Sequence, residues 1–348
     1  MWDLLIDKAD LRRTALQEAA RPALADGEAL FEVESFALTA NNITYGAMGD
    51  AFGYWKFFPA PEGMGRIPVW GHARVVESRA EAAPVGARIF GYLPMSTHVV
   101  MRPVAGGGGF VDASEHRASL PPTYNAYSPA AGDAMEDHRS VLRPLFMTSY
   151  LLDAQLDETG ERTVVMSSAS SKTAMGLAWL LRARGAKAIG LTSSKGVAAL
   201  ADKGLYDQLV PYDQIAELNL DGPVAYVDFA GDGQVIGAVH RRLAEQLSLS
   251  LTVGATHWEG SRERGDLPGP QPVLFFAPDV IRRLASGGAG AAFFAGFEAL
   301  MGQFVAANPW LKLVVHEGPD ALRQVYADVL EGRTTPDQGH IIRPTARA

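Results

Sequence analysis

Two short polar stretches carry the residue types that could do chemistry. The first is Ser167-Ser168-Ala169-Ser170-Ser171-Lys172-Thr173-Ala174, which follows the apolar run Thr163-Val164-Val165-Met166 and leads into helical apolar spacing from Thr173 to Arg184. The second, Thr192-Ser193-Ser194-Lys195, ends the apolar run Ala188-Ile189-Gly190-Leu191. A strand that turns straight into a helix sets helix N-terminal amides, worth roughly half a positive charge, at the carboxyl edge of a sheet, where a pyrophosphate is favoured. In the first stretch Ser170, Ser171 and Thr173 offer hydroxyls to a phosphate and Lys172 a point charge. Laid over the dinucleotide pattern Gly-x-Gly-x-x-Gly/Ala, Ser168, Ser171 and Ala174 fall at the turn, approach and packing positions, with Ala169 beside them. The stretch contains no glycine. A non-glycine residue at positive φ costs about 1–2 kcal/mol, whereas a micromolar cofactor is held by about 8 kcal/mol. Serine therefore weakens the fingerprint without excluding the ligand. A well-capped helix start with no ligand is the plain alternative.

The second stretch decides between cofactors. An NAD site places Asp or Glu at the end of the second strand to hold the ribose 2′-hydroxyl. Here Thr192, Ser193, Ser194 and Lys195 supply hydroxyls and an ammonium with no carboxylate, a polarity that suits a 2′-phosphate and so NADP(H). Tyr212, after the next apolar run Gln208-Leu209-Val210, is placed either to stack on the adenine or to fill the core.

These residues need a frame to hold them. From Arg162 onward short apolar strands alternate with helical segments, and Val224-Ala225-Tyr226-Val227-Asp228 and Leu249-Ser250-Leu251-Thr252-Val253 continue the series. That alternation predicts an α/β fold with a doubly wound, parallel, Rossmann-type sheet. Pro272 to Phe276 reads as a further strand, and Ala285 to Phe304 as one packed helix with an apolar face. Leu142 to Leu156 has helical spacing. Before it, Ala29 to Pro122 reads as short strands punctuated by Gly and Pro, with Ala105-Gly106-Gly107-Gly108-Gly109 as a linker. Leu311 to Val315, Asp320 to Leu330 and His340 to Ile342 close the chain.

Composition excludes other classes. The net charge of −8 disfavours nucleic acid and anionic membrane as partners. No apolar run approaches the ~20 residues of a membrane span, and Met1 to Asp10 lacks a basic-then-apolar signal pattern, so a cytoplasmic protein is expected. With no cysteine there is no disulfide, no thiolate nucleophile and no Cys zinc site. No Gly-x-Ser-x-Gly or His-Glu-x-x-His occurs, which leaves hydrolase chemistry without support. His257-Trp258-Glu259 is too small a set for a metal.

The order of a β-rich unit, a linking helix, a doubly wound domain and a return resembles the medium-chain dehydrogenase/reductase superfamily, nearest its zinc-free quinone- and enoyl-reductase side. The stretches Ala37 to Gly46, Pro68-Val69-Trp70-Gly71-His72, read as a turn, and Val111 to Arg117 are similar to an uncharacterised branch catalogued as a domain of unknown function. The resemblance implies a GroES-like domain over 1–125 plus 309–348 and a Rossmann-type domain over 126–308. It sets Asn41-Asn42 beside the nicotinamide and Gly71-His72-Ala73 where zinc members carry Gly-His-Glu, so that zinc is not expected. It has Thr148-Ser149 begin the linking helix and touch the cofactor. Phe229-Ala230-Gly231 and Gly254-Ala255-Thr256 would line the nicotinamide, and Phe275-Phe276-Ala277 would extend the sheet across a homodimer.

The candidate proton donors are Tyr45, expected in a loop after the Asn pair, and Tyr54, with Asn42 and His72, expected on a loop, as further polar groups. Tyr54, Trp55, Phe57, Phe58 and Trp70 would form an aromatic-tolerant pocket; plain core packing explains them equally well. The expected activity is NADPH-dependent reduction of an activated C=C or C=O in a small apolar substrate. An alcohol dehydrogenase working oxidatively, or an NADP(H)-binding sensor without turnover, are the alternatives.

Overall fold

The computed structural model describes residues 1–253, 267–286 and 290–345. The chain divides into two compact units, Met1–Val141 with Lys312–Ala348, and Leu142–Leu311.

The first unit opens with β1 (Trp2–Asp7) and β2 (Thr14–Glu18), then β3 (Ala29–Leu38) and helix α1 (Ala40–Ala47). There follow β4 (Met64–Gly65), β5 (Pro68–Ser78), β6 (Arg88–Pro94), β7 (His98–Met101), β8 (Pro103–Gly106), β9 (Gly109–Asp112) and β10 (Ala126–Pro129). Strand β3 shows why: Phe31 and Val33 are buried while Glu32 and Glu34, alternating with them, are half-exposed, the period of a sheet with one covered face. Glu34 ties three strands together, meeting Arg74 of β5 and Arg88 of β6 at 2.7 Å each.

Several sequence expectations are corrected in this unit. Pro68 to His72 is no turn but the first half of β5, paired with both β3 and β6. Its glycine explains the misreading: a Cβ on Gly71 would lie 2.1 Å from the Ser35 carbonyl oxygen, so Gly71 serves close strand approach. The Ala105–Gly109 segment is no linker either. It is the β8–β9 hairpin, with Gly107 and Gly108 at φ 62° and 81° in its two-residue turn. Asn41 to Tyr45 lies in α1 and not in a loop, because Thr39 caps the helix and its N–H donates to Asn42 Oδ1 at 2.8 Å. Within the Val111–Arg117 stretch, Asp112 and Arg117 are buried and paired. Arg117, 1% exposed, meets Asp112 at 3.1 Å, donates to the Tyr127 hydroxyl at 2.8 Å and stacks over Phe58.

Helix α2 (Glu136–Glu158) leads into the second unit. There β11 (Thr163–Met166), α3 (Lys172–Ala183), β12 (Lys187–Thr192), α4 (Ser194–Leu200), β13 (Gln208–Pro211), β14 (Val224–Asp228), α5 (Gly233–Leu243), β15 (Leu247–Thr252) and β16 (Val273–Leu274) alternate, followed by α6 (Ala277–Ser286), α7 (Gly290–Ala295) and α8 (Phe297–Ala307). The six strands form a wholly parallel sheet in the order β13-β12-β11-β14-β15-β16. Both faces are covered. Val164 and Met166 pack in one core with Leu177 and Leu181, and Val165 in the other with Tyr226, Ile236 and Val239. A strand buried on both sides reads as an unbroken apolar run, which is how β11 looked in the sequence. The expected strand Pro272–Phe276 shrinks to two residues, and the single helix expected from Ala285 to Phe304 is broken at Gly296, between α7 and α8.

The chain returns to the first unit as β17 (Lys312–Glu317), α9 (Gly318–Leu330) and β18 (Gln338–Arg343). These strands complete a nine-stranded sheet, ordered β17-β18-β3-β5-β6-β10-β9-β8 with β7 beside β3, next to the small sheet β2-β1-β4.

Candidate functional site

In the second unit, strand order reverses between β11 and β14, the point where open α/β sheets leave a crevice at their carboxyl ends. The chain leaves β11 through Ser167–Ser171. Ser168 stands at φ 49°, the left-handed region that glycine occupies without strain. Every backbone polar group of Ser168 and Ala169 is bonded. Ser168 N–H donates to the Tyr212 hydroxyl at 2.9 Å, and Ser168 O accepts from Ser171 N–H at 2.8 Å. Ala169 N–H donates to Leu191 O at 3.0 Å, and Ala169 O accepts from the Tyr206 hydroxyl at 2.7 Å. Ser171 caps α3, its hydroxyl accepting from Ala174 N–H at 3.2 Å. Ser170, Lys172 and Thr173 are half-buried around this cap.

The neighbouring strand β12 ends in buried Thr192. Ser193 caps α4, accepting from Gly196 N–H at 3.1 Å, and Ser193, Ser194 and Lys195 are exposed. Among the described residues Lys195 makes no ion pair. Because β11 and β12 are parallel neighbours, with Met166 opposite Gly190, the two polar strand ends share one sheet edge. Tyr212 lies just beyond β13, and its hydroxyl reaches back to the Ser168 amide.

On the other side of the reversal a buried network ties β11 to β14. The Ser167 hydroxyl donates to Asp228 Oδ1 at 2.7 Å and accepts from the Phe229 and Ala230 amides at 2.9 and 3.0 Å. Asp228 also accepts from the Tyr226 hydroxyl and from Gly231 N–H, each at 3.0 Å. Burial pushes the Asp228 carboxyl above the usual carboxylate range, against these hydrogen bonds. The sequence singles out Phe229 and Ala230, and the structure ties their amides to Ser167 and Asp228, which the sequence reading did not name as site residues. A polar residue ending each of two strands was the available signal. Gly254, Ala255 and Thr256, like His257 and Glu259, lie outside the described residues.

Thr148 is corrected in place: it lies mid-way along α2, its hydroxyl bonded to Pro144 O at 3.1 Å. The helix starts earlier because Glu136 and Asp137 suit an N-terminal turn, though that polar turn carries no apolar spacing.

In the first unit, Tyr45 and Tyr54 come together with ring centroids 4.6 Å apart. Tyr92 and Tyr124, stacked at 4.8 Å, complete the group, and Trp70 Nε1 donates to the Tyr45 hydroxyl at 3.3 Å. Burial pushes both candidate phenols up, with Trp70 and Asn41 pulling the Tyr45 hydroxyl the other way. They stay protonated at neutral pH. Asn42 is not directed at them; its amide donates to Pro68 O at 2.9 Å. His72 was expected on a loop but is buried within β5, its Nδ1 3.3 Å from the Ser140 hydroxyl. Burial lowers its pKa, leaving a neutral ring at pH 7. Among the described residues no three His, Asp or Glu gather as a metal site, and no helix is long and apolar enough to cross a membrane.

A family model described as "Protein of unknown function (DUF2855)" matches residues 36–335. The chain belongs to that family. No curated protein matches this DUF2855 chain. Solved structures do. CurA from Vibrio vulnificus in complex with NADPH is 16% identical over 100% of both chains, with a TM-score of 0.67. Mycobacterial Rv1454c complexed with NADPH is 15% identical over 99% of this chain and 100% of its own, at 0.61. A mutant enoyl thioester reductase from Candida tropicalis is 12% identical over 98% and 99%, at 0.58. Identities this low establish the fold. The DUF2855 chain shares their fold, a Rossmann-type α/β domain with a β-rich GroES-like one.

Proposed function

We propose that the protein is an NADP(H)-dependent, zinc-independent oxidoreductase that reduces an activated C=C or C=O in a small apolar substrate. The observation that carries this reading is the pair of polar strand ends on one sheet edge: a serine-rich turn with one serine at positive φ, beside a hydroxyl-and-lysine cluster with no carboxylate. Solved structures of the same fold that hold NADPH support it.

The donor set fits the cofactor. Ser170, Ser171, Lys172 and Thr173 would meet the pyrophosphate, with Ser168 and Ala169 shaping the turn. Ser193, Ser194 and the exposed Lys195 would meet the 2′-phosphate, and Thr192 is buried beside them. Phe229 and Ala230 would border the nicotinamide, with Thr148 as a further contact and the Tyr212 ring near the adenine. When bound, NADPH supplies a hydride. The chain's own part is to orient the ring, exclude water and deliver a proton, for which the protonated phenols of Tyr45 and Tyr54 are the candidates. Val273 and Leu274, exposed on the last strand of the sheet, support a homodimer built on that edge.

The test is fluorescence titration of the purified protein with NADPH and NADH. Lys195→Glu is expected to weaken NADPH by about tenfold or more, in line with the loss of a charge-assisted contact, and NADH far less. Equal losses would remove Lys195 from the 2′-phosphate, and no saturable binding of either nucleotide would end the reading. Enone, quinone and enoyl thioester substrates, followed by the absorbance of the reduced cofactor, then sort the substrate classes.

A further inference from the structure

The turn after β11 has no glycine, yet it holds a left-handed residue at the position where the dinucleotide pattern puts one. Two tyrosines from the segment around β13 close on it. Tyr212 accepts the Ser168 amide and Tyr206 donates to the Ala169 carbonyl, at 2.9 and 2.7 Å. We propose that Tyr206 and Tyr212 are positioning residues of the nucleotide site, a two-phenol clamp that holds a glycine-free turn in phosphate-binding shape. The proposal rests on the NADP(H) reading above.

A glycine turn reaches positive φ freely; a serine turn relaxes toward negative φ unless its peptide groups are held. Here the four backbone polar groups of Ser168 and Ala169 have four partners, and two of those are phenols. Burial pushes the Tyr206 hydroxyl well above its ordinary range, so it remains a donor throughout the neutral range. The clamp is also tightly fitted. A Cβ on Gly190 would come within 2.8 Å of Ala169 Cβ and 2.9 Å of the Tyr206 ring, so β12 needs a glycine where turn and phenol meet. The phenols act through the backbone of the turn and not by touching phosphate.

Titration of the full chain with NADPH and with NADH tests this, together with thermal melts of each variant. Tyr212→Phe is expected to weaken both nucleotides by about tenfold and to the same degree, because the clamp shapes the pyrophosphate site and not the 2′-phosphate site. Tyr206→Phe acts in the same direction through Ala169. Adding Ser168→Gly to Tyr212→Phe restores both affinities to within about twofold of wild type, since glycine holds positive φ unaided. Tyr212→Phe and Tyr206→Phe proteins that bind as wild type does, or a double variant no better than Tyr212→Phe alone, overturn the clamp. If Tyr212→Phe does not fold, recovery of folding and binding in the double variant supports the clamp, and its failure together with an indifferent Tyr206→Phe overturns it. Wild type that binds neither nucleotide removes the NADP(H) reading itself, a result separable from wild type that binds beside indifferent variants.

Discussion

Ser167 shows how one hydroxyl can organise a strand edge. It is fully buried, donates to Asp228 and accepts two amides, so the backbone at Phe229 and Ala230 is fixed by a single oxygen. Ser167→Ala takes the acceptor from both amides, while Asp228 Oδ1 keeps the Tyr226 hydroxyl, and buried unsatisfied groups cost about 1–3 kcal/mol each. The expected loss is roughly 2–4 kcal/mol in urea unfolding, with weaker nucleotide binding; an unchanged midpoint would mean that water replaces the hydroxyl. The same scale separates the two candidate phenols from Asn42. Tyr45 and Tyr54 share one aromatic cluster, whereas the Asn42 amide is spent on its helix cap and on Pro68.

At the scale of elements, β3 and β5 form the spine of the first unit. Their ladder passes through Gly71, whose absent side chain lets the Ser35 carbonyl approach. Gly71→Ala puts a methyl 2.1 Å from that oxygen. Backbone cannot rotate away as a side chain can, so the strands must part. A cost of about 3 kcal/mol is expected, the upper part of the range for overpacking, read as a lower melting temperature. A variant as stable as wild type would show that the sheet bends without loss. In the second unit the same logic runs through Gly196, where an added Cβ would meet Thr192 Oγ1 at 2.3 Å. A side chain at 196 would therefore push against buried Thr192, beside the exposed Ser193, Ser194 and Lys195.

For the whole molecule, the proposed function makes a thermodynamic statement. A ligand that binds only the folded state at a hundred times its Kd stabilises it by about 2.7 kcal/mol. NADPH is therefore expected to raise the unfolding midpoint of the protein, and chelator treatment to leave that midpoint and any NADPH oxidation unchanged. A chelator that lowers either one would overturn zinc independence. The net charge of −8 gives this experiment a further edge, because a dinucleotide must be drawn in by local groups such as Lys172 and Lys195 against the field of the whole.

The alternation of apolar runs with helical spacing was enough to read the parallel sheet, since burial on both faces writes an unbroken apolar strand into the sequence. The small polar residues at the ends of β11 and β12 were legible for the same local reason: a strand-to-helix turn and its caps are set by a few adjacent residues. What tertiary structure alone decided is long-range. That Tyr206 and Tyr212 reach back to one turn, that Tyr92 and Tyr124 join Tyr45 and Tyr54, and that His72 is buried in a strand all depend on segments tens of residues apart. The glycines misled most, because Gly71 and the Gly107-Gly108 pair look alike in sequence. Only the neighbouring backbone tells close strand approach from a hairpin turn, and no local spacing encodes that neighbour.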